Sequence, residues 1–324
     1  MANKTTDHIC WGILGCGDVC EVKSGPALQK AGRSSVRIVM RRDGAKAADY
    51  ARRHGVAHWT DDADTLLTDP EIDAVYIATP PSTHADYAIR AVQAGKHVLL
   101  EKPMALTVAE CDAVIAAQKS TGRKLCVAYY RRALPRFEHF RQIAQSGEIG
   151  ALRMVEIRHF LPTEARPDQP WKIDPAIGGG GFFTDMQTHT LDWLGHAFGA
   201  PVAVRGLRKF QAGAYAAEDL VSYILDFDGF PAMGLCAYAV DHREEGVTLH
   251  GSEGSAQMGF FRPSAITLTR AGETKEVELP DPPHVHQPFV ERVVAHLLDD
   301  APNPCSADAG RQVNALVERI FAGI

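Results

Sequence analysis

The sequence predicts an α/β domain with a parallel sheet over residues 1–128, followed by an α+β domain over 129–324 built on a large open, mostly antiparallel sheet. Strand and helix patterns alternate through the first third with near-continuous apolar strands, the signature of a parallel sheet covered on both faces. From 201 to 280 strand patterns instead follow one another across short turns, which only antiparallel or mixed pairing allows. The length, 324 residues, suits two cores of ordinary size.

The elements follow in order. Ile9–Leu14 (ICWGIL) reads as a buried strand, then a Gly-rich turn and one helix to about residue 31. SVRIVM (35–40) is the second strand, and the next helix ends at Gly55, a natural C-cap. DAVYIA (73–78), HVLL (97–100) and KLCVAY (124–129) supply further strands. The helix after Thr107 carries a capping box with Glu110 and stops at Gly122. The second domain begins with a helix over 133–146 and a strand over 151–160. A Pro-rich loop, the run GGGG at 178–181 and a helix to about 198 come next. Strands then follow at PVAVRGLRKF, DLVSYILDF, FPAMGLCAYAV, GVTLHG, SAITLTR and TKEVELP. Helices over 284–299 and 306–322 close the chain, and the last is available to pack back on the first domain.

Composition excludes several classes. With 34 Lys plus Arg against 40 Asp plus Glu the net charge is −6, so no basic field exists to attract nucleic acid or an anionic membrane. No stretch reaches the roughly 18 apolar residues that span a bilayer. MANKTTDH has no hydrophobic signal core, and seven scattered cysteines suit reduced thiols better than a disulfide framework, so the expected location is cytoplasmic. Cys10, Cys16 and Cys20 lack the CxxC pairing of a zinc site, and His284 and His286 lack matching carboxylates, so no metal is expected.

Chemistry enters at Gly15-Cys16-Gly17-Asp18-Val19-Cys20, a GxGxxG/A pattern with Cys20 in the third place. Gly15 allows a tight turn and Gly17 a close approach of pyrophosphate, while the helix opened by Asp18 and Val19 presents free N–H groups to the anion. The position between a strand and a helix is what gives this short motif weight. At the end of the second strand stand Arg41 and Arg42, which suit a 2′-phosphate and hence NADP(H). Asp43 beside them leaves NAD(H) open.

Three further runs resemble the glucose-fructose oxidoreductase, inositol dehydrogenase and rhizopine catabolism family, abbreviated Gfo/Idh/MocA. They are Ile77-Ala78-Thr79-Pro80-Pro81-Ser82-Thr83-His84, Gly95-Lys96-His97-Val98-Leu99-Leu100-Glu101-Lys102-Pro103, and Gly179 through His189 with its DxxxH pair. His250-Gly251-Ser252-Glu253-Gly254 resembles the family's late turn. The resemblance implies a Rossmann domain joined to an open-sheet domain, and a nicotinamide-dependent oxidoreductase of a sugar, polyol or related cyclic alcohol. Thr79, Pro80, His84, Glu101 and Lys102 then fall on cofactor positions, and Lys102, Asp185 and His189 on catalytic ones. A homodimer or homotetramer through the open sheet is implied as well.

The residue types agree. Moving a hydride from a secondary alcohol needs a proton moved from its oxygen, which histidine does near neutral pH. Asp185 and His189 are i and i+4 on a helix, and Lys102 can hydrogen-bond the reacting oxygen. Tyr130 and Arg131, with Trp171 and Lys172 on the long loop, are candidate substrate contacts. Two departures stand out: Cys20, and Gln187 where many relatives have glycine. A glycoside hydrolase using transient oxidation, or a cofactor-sensing regulator, are the alternative activities; the second fits less well because the lysine and the DxxxH pair are both present.

Overall fold

The computed structural model describes residues 7–163 and 169–323; the first six residues and part of the expected 161–177 loop lie outside them. The chain divides into two compact units, Met1–Leu134 with Pro282–Arg311, and Pro135–Asp281 with Gln312–Ile324.

The first unit holds six parallel strands: β1 (Ile9–Leu14), β2 (Ser34–Met40), β3 (His58–Thr60), β4 (Ala74–Ile77), β5 (His97–Leu100) and β6 (Leu125–Val127). Their spatial order is β3-β2-β1-β4-β5-β6, the doubly wound arrangement whose strand order reverses between β1 and β4. A crevice for a dinucleotide is expected outside the carboxyl ends of the strands at that reversal. Thr107 and Glu110 form the expected capping box, and Gly55 and Gly122 end their helices in the left-handed conformation.

Three local features differ from expectation. The helix expected over 18–31 is two, Asp18–Val22 and Ser24–Lys30, broken at Lys23. There the Cys20 carbonyl accepts from the Tyr50 hydroxyl at 2.9 Å, and Gly25 packs so closely that a Cβ would lie 2.3 Å from that carbonyl oxygen. The strand β3 and the helix Ala63–Thr68 were not predicted, because each is too short to show a period. Helix Gln287–Asp299 also belongs to this unit, burying Phe289, Val290, Val293 and Val294.

The second unit is built on eight strands: β7 (Leu152–Phe160), β8 (Ala203–Lys209), β9 (Leu220–Phe227), β10 (Phe230–Ala237), β11 (Glu244–Gly251), β12 (Gly254–Met258), β13 (Ile266–Arg270) and β14 (Glu273–Val277). They lie in the order β14-β13-β12-β11-β7-β10-β9-β8, with only β7 and β10 parallel. β12 follows the Ser252-Glu253 turn and was missed, since GSAQM carries too few β-formers. Strand alternation puts Val155, Ile157 and His159, with Val221, Tyr223 and Leu225, on the buried face. Phe183 packs there edge-on to Tyr223, with ring centroids 5.9 Å apart. The helix expected after the glycines starts as a π-helix, Phe183–Gln187, and continues as an α-helix, Thr188–Phe198. The Thr188 hydroxyl donates to the Thr184 carbonyl at 3.0 Å, a side-chain bond that competes with the regular ladder and favours the wider turn.

Candidate active site

The glycine loop has the shape of a phosphate cradle. Gly15 adopts φ +90°, and a Cβ there would lie 2.8 Å from the Ala78 carbonyl and the Thr79 nitrogen, so both conformation and space require glycine. A Cβ on Gly17 would meet no described residue within 4 Å, on the side where the motif would admit an anion. Cys20 fills the third position as a small buried residue; its thiol, pushed above the usual range by burial, accepts from the Ser24 hydroxyl at 3.6 Å. Asp18 opens the short helix and Val19 follows it.

At the end of β2 the Arg41 guanidinium donates to the Cys16 carbonyl at 3.4 Å, which sets its charge beside the loop. Arg42 is exposed. Asp43 caps helix Gly44–His54 by accepting from the Lys46 backbone at 3.2 Å, and this bond and the Lys46 ammonium hold its carboxyl below the usual range.

Beyond β4, Thr79 accepts from the Thr83 hydroxyl at 2.8 Å, and the Pro80 carbonyl accepts from the same group at 2.9 Å. His84 is buried, with Nδ1 2.8 Å from the Pro103 carbonyl and Nε2 2.8 Å from the Thr79 carbonyl. Its ring lies between the loops after β4 and β5, and, kept neutral by burial, it donates its one N–H to one of the two carbonyls. Beyond β5, Glu101 is buried and its carboxyl is pushed up by desolvation, while the Tyr76 hydroxyl donates to it at 2.6 Å. Its other oxygen accepts from the Lys102 backbone at 3.2 Å, so Glu101 anchors the turn that carries Lys102.

His286 lies 3.9 Å from the Glu101 carboxylate and stacks on Tyr130 at 4.1 Å. Burial and the charges of Lys23, Arg131 and Lys102 push its pKa down to about 3. The Arg131 guanidinium in turn lies 5.2 Å from the Tyr130 ring centroid. Sequence reasoning did not find Tyr76 or His286 as partners of Glu101; neither has a local spacing signal, because their contacts span 25 and 185 positions along the chain (101 − 76 and 286 − 101).

In the second unit Gly178, Gly180 and Gly181 are required for space, and Gly179 adopts φ +80°. A Cβ on Gly180 would lie 2.2 Å from the Thr184 hydroxyl, and one on Gly181 2.7 Å from the Ala217 Cβ. The Gly181 N–H donates to the buried Glu218 carboxyl at 3.0 Å, a group that desolvation pushes up. Glu218 was not foreseen either. The Asp185 amide continues the turn, donating to the Gly181 carbonyl at 3.0 Å. Lys172 Nζ lies 3.4 Å from Asp185 Oδ2 and 5.5 Å from the centroid of the Trp171 ring, so the loop residues Trp171 and Lys172 do gather beside Asp185. His189 is buried one turn further on, in the α-helical part.

A doubly wound parallel sheet with this loop at its strand reversal defines a dinucleotide-binding protein, and the chain matches known sequences along its length. Residues 9–129 match the oxidoreductase family with an NAD-binding Rossmann fold, and residues 137–257 match the GFO/IDH/MocA C-terminal domain. Oxidoreductase P35 of Formosa agariphila is 36% identical over 322 residues, 98% of this chain and 99% of that protein. The scyllo-inositol 2-dehydrogenase (NAD(+)) of Bacillus subtilis is 30% identical over 246 residues, 73% of this chain and 69% of that protein. The crystal structure of an aldose-aldose oxidoreductase from Caulobacter crescentus, complexed with glycerol, superposes with a TM-score of 0.87 at 26% identity, covering 98% of this chain and 97% of that one. The chain belongs to the Gfo/Idh/MocA family of NAD-binding oxidoreductases.

Proposed function

We propose that the protein oxidises a secondary alcohol of a sugar, polyol or related cyclic substrate, or reduces the matching ketone, with NADP(H) preferred over NAD(H). The observation that carries this reading is the gathering of Asp185, Lys172 and Trp171 on and beside the turn that leads into His189. A carboxylate, an ammonium and an aromatic face together suit a polyhydroxylated molecule, since hydroxyls both donate and accept while the ring covers apolar C–H surface.

The cofactor, held by Gly15, Gly17 and the start of the following helix, supplies hydride acceptance or donation when bound. In the oxidative direction the carbon loses a hydride and His189 takes the hydroxyl proton, leaving a carbonyl. Lys102 hydrogen-bonds the oxygen and favours the charge that develops on it. Asp185 orients the imidazole or binds a neighbouring hydroxyl. His84 and Glu101 serve by holding the loops that bear Thr79 and Lys102. The NADP preference is supported by Arg41, drawn to the glycine loop, and by Asp43, whose carboxylate is engaged in capping.

Oxidation of a panel of inositols, aldoses and anhydrosugars, followed by absorbance of both reduced cofactors, tests the reading. Net cofactor reduction supports it, and glycoside cleavage without net reduction would replace it with the hydrolase. His189→Ala and Lys102→Ala should each cut turnover by about 10²–10⁴-fold, with cofactor binding surviving in His189→Ala.

We also propose a homo-oligomer through the outward face of the open sheet. Leu207, Ile224, Met233 and Leu235 on β8, β9 and β10 are 42–49% exposed, an apolar group bordered by Arg158, Glu156 and Arg205. A second copy brought against this face would bury it, and analytical ultracentrifugation of Met233→Lys should show dissociation. No helix among the described residues is long and apolar enough to cross a membrane. We place the protein in the cytoplasm, a reading that the seven free thiols support.

A further inference from the structure

Gln187 is wholly buried at the end of the π-helix, two residues from Asp185 and two from His189. Its Nε2 lies 3.0 Å from Nδ1 of His159 on β7. An amide nitrogen only donates, so Nδ1 accepts and the imidazole carries its proton on Nε2. The ring is fixed from two further sides: it stacks on Phe261 at 4.7 Å and meets Tyr238 edge-on at 5.3 Å, with the Tyr238 hydroxyl 3.3 Å from Nδ1. Burial, reinforced by the Arg243 guanidinium, pushes His159 down to about 4, so it is neutral and able to accept at physiological pH.

The other end of the amide is left over. Among the described residues the buried Gln187 Oε1 has no hydrogen-bond partner, an arrangement that destabilises a fold. An apolar side chain of the same volume would avoid that cost, so stability alone does not account for an amide here. Residues two apart do not share a helix face, so Gln187 can grip the sheet without occupying the face that bears Asp185 and His189. The Thr188 hydroxyl bonds the Thr184 carbonyl, the kind of side-chain bond that competes with the helix ladder, so a tie to the sheet adds a constraint to this turn.

We propose that Gln187 is a positioning residue, whose hydrogen bond to His159 ties the π-helix to β7 and fixes the orientation in which it presents Asp185 and His189. The proposal rests on the reading of His189 as the acid/base with Asp185 assisting it.

Gln187→Met keeps the volume and removes the donor, and Gln187→Glu keeps the shape but can only accept. For the first, the melting temperature and NADPH binding should stay at wild-type values. Its kcat on the panel substrate that the wild type oxidises should fall about ten- to hundredfold with KM little changed. In histidine-labelled protein, NMR should show the His159 midpoint rising and the His189 ring signals shifting. Gln187→Glu should draw a proton onto His159 Nδ1, re-form the bond with reversed polarity and recover part of the turnover. Wild-type kcat in Gln187→Met, or unshifted His189 signals, overturns the proposal; so does a Glu variant no better than Met. If the wild type oxidises nothing in the panel, the functional reading fails, and the NMR shifts still decide whether Gln187 positions His189.

Discussion

Lys172 Nζ stands 3.4 Å from Asp185 Oδ2, with both side chains about four-fifths buried. The pair joins a loop to the turn bearing the DxxxH motif, and an ammonium carries three donors, of which Asp185 takes one. A lysine so placed can hold the carboxylate and still bind a substrate oxygen.

Lys172→Met retains the stem over Trp171 and removes the charge. It should lower kcat/KM by about ten- to hundredfold, the range of a lost charge-assisted hydrogen bond. A rise in KM alone would assign Lys172 to substrate binding, and a fall in kcat would assign it to Asp185. Wild-type values for both would remove Lys172 from the site.

Arg41 and Arg42 give the cofactor prediction. Replacing both with alanine should weaken NADPH binding by about tenfold or more and leave NADH binding within about threefold, since only the 2′-phosphate loses its partners. Fluorescence titration with both nucleotides measures this. An equal loss for the two would mean that the arginines act on the loop, through the Cys16 carbonyl, and not on the phosphate.

What was legible in the sequence follows from range. β1, β5, the capping box at Thr107 and the Gly55 and Gly122 stops depend on neighbours a few positions away, and all were read correctly. The break at Lys23 lies beside Tyr50, and the segment around the π-helix is tied to Glu218 and His159, partners 28 to 37 positions away along the chain. No local pattern carries those partners. The same holds for the candidate site: its proposed residues fall in motifs, while Tyr76, Glu218 and His159, which hydrogen-bond Glu101, Gly181 and Gln187, have none.

Gly180 and Gly181 make that dependence measurable. Alanine at Gly180 would push on Thr184, and at Gly181 on Ala217, in a turn that then begins the π-helix. Each should destabilise the fold by about 1–3 kcal/mol, the usual cost of overpacking, and should lower turnover more than the stability loss explains. Urea unfolding and kcat on the same samples separate the two effects. A variant with wild-type stability would show that the turn has slack, and the spatial reason for the glycines would fall.

The buried histidines set the pH dependence of stability. His97 accepts the Lys124 N–H on Nδ1 at 3.0 Å, and burial among Arg123, Lys124 and His296 pushes it down to about 4. His159 is likewise pushed to about 4 and His286 to about 3, from an ordinary 6.5. Each is neutral when folded, so between these values the unfolded chain binds more protons. The stability they contribute is therefore present above pH 6.5 and lost as pH falls towards 4. Each should cost on the order of 1–2 kcal/mol by pH 5. Glu101 and Glu218, raised by burial, act in the opposite sense and offset part of the loss. Glu21, lowered to about 2 chiefly by its Arg53 hydrogen bond, begins to matter only below its ordinary 4.5. The urea midpoint should thus drop between pH 7 and pH 5, and His97→Gln should flatten the slope by about one proton's worth. If His97→Gln has the same slope as the wild type across that interval, the His97 ring takes up its proton in the folded state, and burial does not hold it neutral.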